Sequence, residues 1–168
     1  MSNILLVDTN FSSGPIYRFL REAGHNVTVI GKNPGDALAK SVGDYVNLDY
    51  SDIEQTKQVI ADRKIEYLVP GRNDRSYLVC AEINSDCQFP GIDSLATAEI
   101  INNKDKFRAF AAEQGLPTPR VLTEEEIGTR WPVIVKPVDA FSGRGVTIVR
   151  ERNKDERSTG RITAQKAS

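Results

Sequence analysis

Short Val/Ile/Leu runs alternate with helix-length amphipathic stretches through the first half of the chain. After "FPGIDSLATAEIINN" (89–103) a different grammar takes over, in which one helix is followed by two closely spaced strands. Together these observations predict an α/β fold: a Rossmann-like parallel sheet with flanking helices, followed by an incomplete α+β subdomain. The corresponding divisions are 1–95 for the sheet domain, 96–150 for the subdomain and 151–168 for a polar tail.

The first strand is "NILLVD" (3–8), and "PIYRFLREAG" (15–24) is the helix behind it, with Gly24 as its stop because glycine accepts the left-handed conformation that ends helices. "NVTVIG" (26–31), "DYVNLD" (44–49) and "EYLVPG" (66–71) supply further strands, and "IEQTKQVIADRK" (53–64) is a helix capped by Ser51 or Asp52. Right-handed crossovers would set helices on both faces of the sheet. "NKDKFRAFAAEQGLPTPR" (103–120) reads as a helix with Phe107, Phe110 and Ala111 on one side, stopped by Gly115 and two prolines. "PVIVKP" (132–137) and "GVTIVRE" (145–151) then form an antiparallel pair, since no helix crossover fits in "VDAFSGRG". From Arg150 onward the chain is polar and without period, which predicts a disordered tail. A hairpin and one helix do not close a core, so this subdomain reads as the beginning of something larger.

Composition narrows the partners. With 39% hydrophobic and 27% charged residues and a net charge of −1, the chain has material for a core and no cationic excess for nucleic acid or anionic membrane. Small molecules are the favoured partners. Cys80, Cys87 and the sole histidine, His25, cannot make a four-ligand zinc set, so the cysteines read as reduced thiols and His25 as a loop residue. Neither a signal peptide nor a run of about 18 apolar residues is evident, which predicts a cytoplasmic protein.

The chemistry gathers at "VIVKPVDAFSGRGV". Lys136 ends a run that alternation would bury, so it either snorkels to solvent or meets an anion. Gly143 and Gly145 allow a loop whose amides converge on one centre, with Arg144 between them, and such loops hold phosphates or serve as plain hairpin turns. In the sheet domain Asp8 ends the first strand, and Gly71, Asn73, Asp74 and Arg75 follow another, at carboxyl ends where open sheets place ligands. Asp8, Asn73 and Asp74 are thus substrate-binding candidates, and equally candidates for helix caps and turns. "DTNFSSGP" holds one glycine and no G-x-G-x-x-G, which disfavours a dinucleotide site, and no Walker A spacing is present.

"NKDKFRAFAAEQGLPTP" followed by "WPVIVKPVDAFSGRGV" resembles the start of the nucleotide-binding lobe of the ATP-grasp superfamily, with the preceding residues similar to its pre-ATP-grasp domain. The resemblance, which covers about 150 residues, implies a carboxylate-amine ligase or carbamoyl-phosphate-synthase-like enzyme. Such an enzyme uses ATP and Mg2+ to make an acylphosphate that an amine or other nucleophile attacks. It implies that Lys106 and Lys136 contact ATP, with the motif register favouring Lys106 over Lys104, and that Ser142, Gly143, Arg144 and Gly145 form a lid over the phosphates. The magnesium ligands of the family have no counterparts in these 168 residues, so a truncated form, inactive alone, is expected. A homodimer is the oligomeric state to test. The alternatives are a non-catalytic α/β module that binds a small metabolite or a partner protein, and a nucleotide-sugar or dinucleotide enzyme.

Overall fold

A computed structural model describes residues 1–127, 131–136, 145–150 and 163–166. The chain divides into two compact units, Met1–Asn103 and Lys104–Ser168.

In the first unit the elements run β1 (Asn3–Val7), α1 (Gly14–Glu22), β2 (Asn26–Gly31), α2 (Ala37–Ser41), β3 (Tyr45–Asn47), α3 (Ile53–Asp62), β4 (Tyr67–Pro70), α4 (Asp74–Ile83) and α5 (Leu95–Asn102), with 3-10 turns at Phe11–Ser13 and Asn84–Asp86. The four strands form one parallel sheet in the order β3-β2-β1-β4. Strand periodicity divides the core between the two faces. Leu5 and Val7 pack with Leu68, Val79, Cys80 and Ile83 on one side, and Leu6 joins Val29 and Leu38 on the other, where α1 adds Ile16, Tyr17 and Leu20. Because the order reverses direction at β1, the carboxyl ends of β1 and β4 form the switch point where open α/β sheets leave a crevice.

The caps follow the sequence. Asp52 accepts from the Gln55 amide to start α3, Asn73 accepts from the Ser76 amide to start α4, and Gly24 ends the first crossover at φ 85°. The break between units falls after Asn103 rather than after residue 95, because α5 packs on α4 and buries Ala98 completely.

The second unit contains α6 (Lys104–Glu113), β5 (Val121–Leu122), α7 (Glu124–Ile127), β6 (Val133–Lys136), β7 (Thr147–Val149) and β8 (Thr163–Lys166). β6 and β7 pair antiparallel as expected, with Ile134 opposite Ile148. The tail departs from expectation: Thr163–Lys166 inserts between β5 and β6, giving an antiparallel sheet in the order β5-β8-β6-β7. Backbone pairing to both neighbours supplies what the side chains of this segment do not announce. The rest of the predicted tail, 151–162 and 167–168, lies outside the described residues. Leu122 and Val133 form the buried centre of this unit, with Trp131, Val135 and Val149 against them.

Candidate functional site

At the switch point of the first sheet, Asp8 follows directly on β1 and is 6% exposed, with a backbone φ of 133° that side-chain-bearing residues rarely adopt. Its carboxylate is held inside the protein. Oδ2 accepts from the Ser13 hydroxyl at 2.9 Å and Oδ1 from the Asn10 amide at 3.1 Å. Ser13 is fully buried, and its Oγ accepts in turn from the Arg72 amide at 3.2 Å, which ties the loop after β4 to the loop after β1. Gly71 completes the contact, its amide donating to Val7 O at 2.8 Å. A Cβ on Gly71 would stand 2.4 Å from Asp8 Cβ.

Beside this clamp lie the loops after β2 and β3. Lys32 Nζ meets Asp49 Oδ2 at 3.0 Å, and the Ser51 amide and Lys32 together hold the Asp49 carboxyl below its ordinary range. Arg75 Nε donates to Ser51 Oγ at 3.0 Å. Burial pushes the Tyr50 phenol up, Asp8's charge adds to the effect, and a hydrogen bond with Asn73 opposes it. Asp8, Tyr50 and Asn73 thus share one polar edge. Asp74 occupies the first turn of α4, where a carboxylate suits the helix dipole. Asn73 is thus the cap of α4, Asp8 braces the loop after β1, Asp74 sits inside the first turn of α4, and together they lie at the carboxyl ends of β1 and β4.

In the second unit Lys136 ends β6 half-buried, and its ammonium is held below the ordinary lysine value by burial first, then by the charges of Arg108 and Lys104. Lys104 and Arg108 are four residues apart on α6, and Ala111, fully buried, continues the same helix face. Lys106 points elsewhere: at 3.6 residues per turn it lies about 160° around the helix from Arg108. Of the two lysines weighed in the sequence, Lys104 is the one whose charge acts on Lys136, and Arg108 joins it unanticipated. Phe107 and Phe110, expected on the packing side, are 41% and 39% exposed, whereas Ala111 is buried and Arg108 half-buried.

Gly145 adopts φ 72°, the left-handed conformation that makes glycine fit the return into β7. Ser142, Gly143 and Arg144 lie outside the described residues. Ser13, Tyr50, Arg72 and Arg108 escaped the sequence reading, although the i, i+4 spacing of Lys104 and Arg108 was there to be read. Among the described residues no group of three or more His, Cys, Asp or Glu side chains is placed to hold a metal ion. No helix among them is long and apolar enough to cross a membrane.

No protein-family model matches the chain. A formate-dependent phosphoribosylglycinamide formyltransferase of Synechococcus sp. (strain RCC307) is 32% identical over an alignment of 126 positions that covers 67% of this chain and 31% of that protein. The chain thus spans about a third of the length of that curated relative. N5-carboxyaminoimidazole ribonucleotide synthetase from Thermotoga maritima superposes with a TM-score of 0.73 at 16% identity, over 99% of this chain and 46% of that one. Carboxyaminoimidazole ribonucleotide synthase from Aspergillus clavatus, solved complexed with ATP, gives 0.68 at 16% identity, over 99% and 47% of the two chains. At these identities the structures speak for the fold alone. Likeness in sequence to an enzyme of this kind, and a shared fold along nearly the whole chain, agree with the order of helix, lysine strand and glycine turn, and the chain belongs to the ATP-grasp superfamily.

Proposed function

We propose that the chain supplies the substrate-side α/β domain and the first part of the nucleotide-binding lobe of an ATP-dependent ligase, one that activates a carboxylate as an acylphosphate for attack by an amine or other nucleophile. The observation that carries this reading is the lysine that ends β6, half-buried and under the charges of Arg108 and Lys104 on α6. Like charges brought together beside a strand end raise the free energy of the unliganded site, and a polyphosphate offsets that cost. Lys136 and Lys104 would neutralise and orient the phosphates of ATP, and the loop of Ser142, Gly143, Arg144 and Gly145 would add amide donors over them. Magnesium, as the family uses it, would supply charge neutralisation for the phosphates, and no residue described here is assigned to it. The carboxylate-bearing substrate would approach the crevice above Asp8, Tyr50 and Asn73, and the cytoplasm is the proposed setting.

The test is ATP affinity. Lys136→Ala should weaken ATP by about 1.5–3 kcal/mol, the range for hydrogen bonds to charged groups. Unchanged affinity would sink the assignment. A second reading, an α/β module that binds a metabolite without catalysis, draws support from the two-faced core that the first unit holds by itself. Residues 1–103 folding with full stability, together with no response of the whole chain to nucleotide, would favour it.

A further inference from the structure

We propose that Arg108 is a third phosphate-binding cation of the nucleotide site and that Asp105 is its positioning residue. The inference rests on the reading of that site as a nucleotide site and extends it to a group the sequence motif does not include. Three features of α6 support it. Arg108 shares a helix face with Lys104 and with Ala111, the residue by which the helix is buried. Its side chain is only 16% exposed, unusual for an arginine on a helix whose neighbours are open to solvent. Its Nη1 is held at 3.0 Å by Asp105 Oδ1, one turn earlier, which leaves the other edge of the guanidinium fork directed by a fixed anchor.

An arginine in that place does what a lysine cannot. The guanidinium offers planar paired donors to phosphate oxygens. Lys136 is a single ammonium whose charged form is disfavoured by burial and by its cationic neighbours. Arg108 therefore adds a planar fork of donors, and Asp105 orients it before ligand arrives, which lowers the ordering cost of binding. The ligand chemistry is a di- or triphosphate, because the paired donors of the guanidinium match phosphate oxygens and the charges of Lys104 and Arg108 both act on Lys136.

The test uses the full chain with Arg108→Gln, Arg108→Lys, Asp105→Asn and, as a control at the exposed end of α6, Glu113→Gln. The pKa of Lys136, followed by NMR on isotopically labelled lysine, should rise toward the ordinary lysine value in Arg108→Gln and stay put in Glu113→Gln. This readout needs no ligand. ATP and pyrophosphate affinity by calorimetry should fall about tenfold or more in Arg108→Gln, less in Arg108→Lys and Asp105→Asn, and by no more than about twofold in Glu113→Gln. If Lys136→Ala loses affinity while Arg108→Gln does not, the inference fails and the nucleotide reading stands. If the unmodified chain binds neither ATP nor pyrophosphate at millimolar concentration, the nucleotide reading itself fails and takes the inference with it. An unmoved Lys136 titration in folded Arg108→Gln overturns the placement of Arg108.

Discussion

Ser13 Oγ donates to Asp8 Oδ2 at 2.9 Å while accepting from the Arg72 amide at 3.2 Å, so one buried hydroxyl fastens the loop after β4 to the end of β1. The carboxylate fixes the direction of the hydroxyl proton, because an ionised carboxylate only accepts. Removing the hydroxyl therefore orphans two groups at once. Ser13→Ala should lower stability by about 1–3 kcal/mol in urea unfolding, the cost of leaving buried polar groups unsatisfied. Ser12→Ala, at a less covered position whose hydroxyl bonds only within its own turn, should cost well under half as much. Equal losses would mean that the clamp does not tie the two loops.

The glycines beside that clamp separate close approach from backbone strain. A Cβ on Gly71 would stand 2.4 Å from Asp8 Cβ and 2.7 Å from Val7 O, and neither a strand carbonyl nor a buried, tethered side chain can give way cheaply. Gly71→Ala should cost about 2–4 kcal/mol. Gly24 has open space but φ 85°, so Gly24→Ala should cost about 1 kcal/mol through conformation alone. Gly43 has neither constraint, and Gly43→Ala should be close to neutral. Thermal or urea midpoints of the three variants test the order, and a Gly71→Ala protein as stable as Gly43→Ala would contradict the packing at the switch point.

The two cysteines should report folding. Cys80 is fully buried within the sheet core, and burial pushes its thiol up to about 12, whereas Cys87 is exposed in the turn after α4. Since the thiolate is the reactive form, an alkylating reagent at pH 8 should label Cys87 promptly and Cys80 only as fast as the first unit opens. Peptide mass analysis over time, with and without urea, checks this. Similar labelling rates for both in the native protein would show that the core around Val79 and Ile83 is not closed.

Legibility in the sequence tracked how local the cause was. β1 and β2 were evident because their apolar runs carry the pattern of a strand covered on both faces, and the β6–β7 pairing because the connection was too short for anything but a hairpin. The place of Thr163–Lys166 was not legible, since strand neighbours choose it through the backbone. The site divided in the same way. Lys136 stood out as a charge at the end of a buried run, but which cations of α6 act on it depended on the facing of that helix, where of the expected Phe107, Phe110 and Ala111 only Ala111 is buried. Asp8 was found by its position at a strand end. Its partner Ser13, a serine among serines, carried no signal until the 3-10 turn after β1 brought it back over the sheet.

Lys136 also sets a pH dependence whose sign can be stated. Its folded-state value lies below the ordinary one because burial, Arg108 and Lys104 all disfavour its charge. Below that folded-state value the unfavourable charge is fully present. Between the folded and the ordinary value the unfolded chain binds more protons than the folded one, so stability rises with pH across that window. Lys136→Met, which keeps the bulk and removes the charge, should therefore raise the unfolding midpoint at neutral pH and flatten its rise on the alkaline side. A bound polyphosphate reverses the balance: it favours the ammonium, so ligand binding should take up protons near the folded-state value and weaken as pH climbs through it. Calorimetric titration with pyrophosphate in buffers of different ionisation enthalpy measures that uptake directly. Proton release, or an affinity that strengthens with pH, would place the ligand away from Lys136, and a Lys136→Met protein less stable than its parent would show that the lysine at the end of β6 holds the sheet rather than waits for an anion.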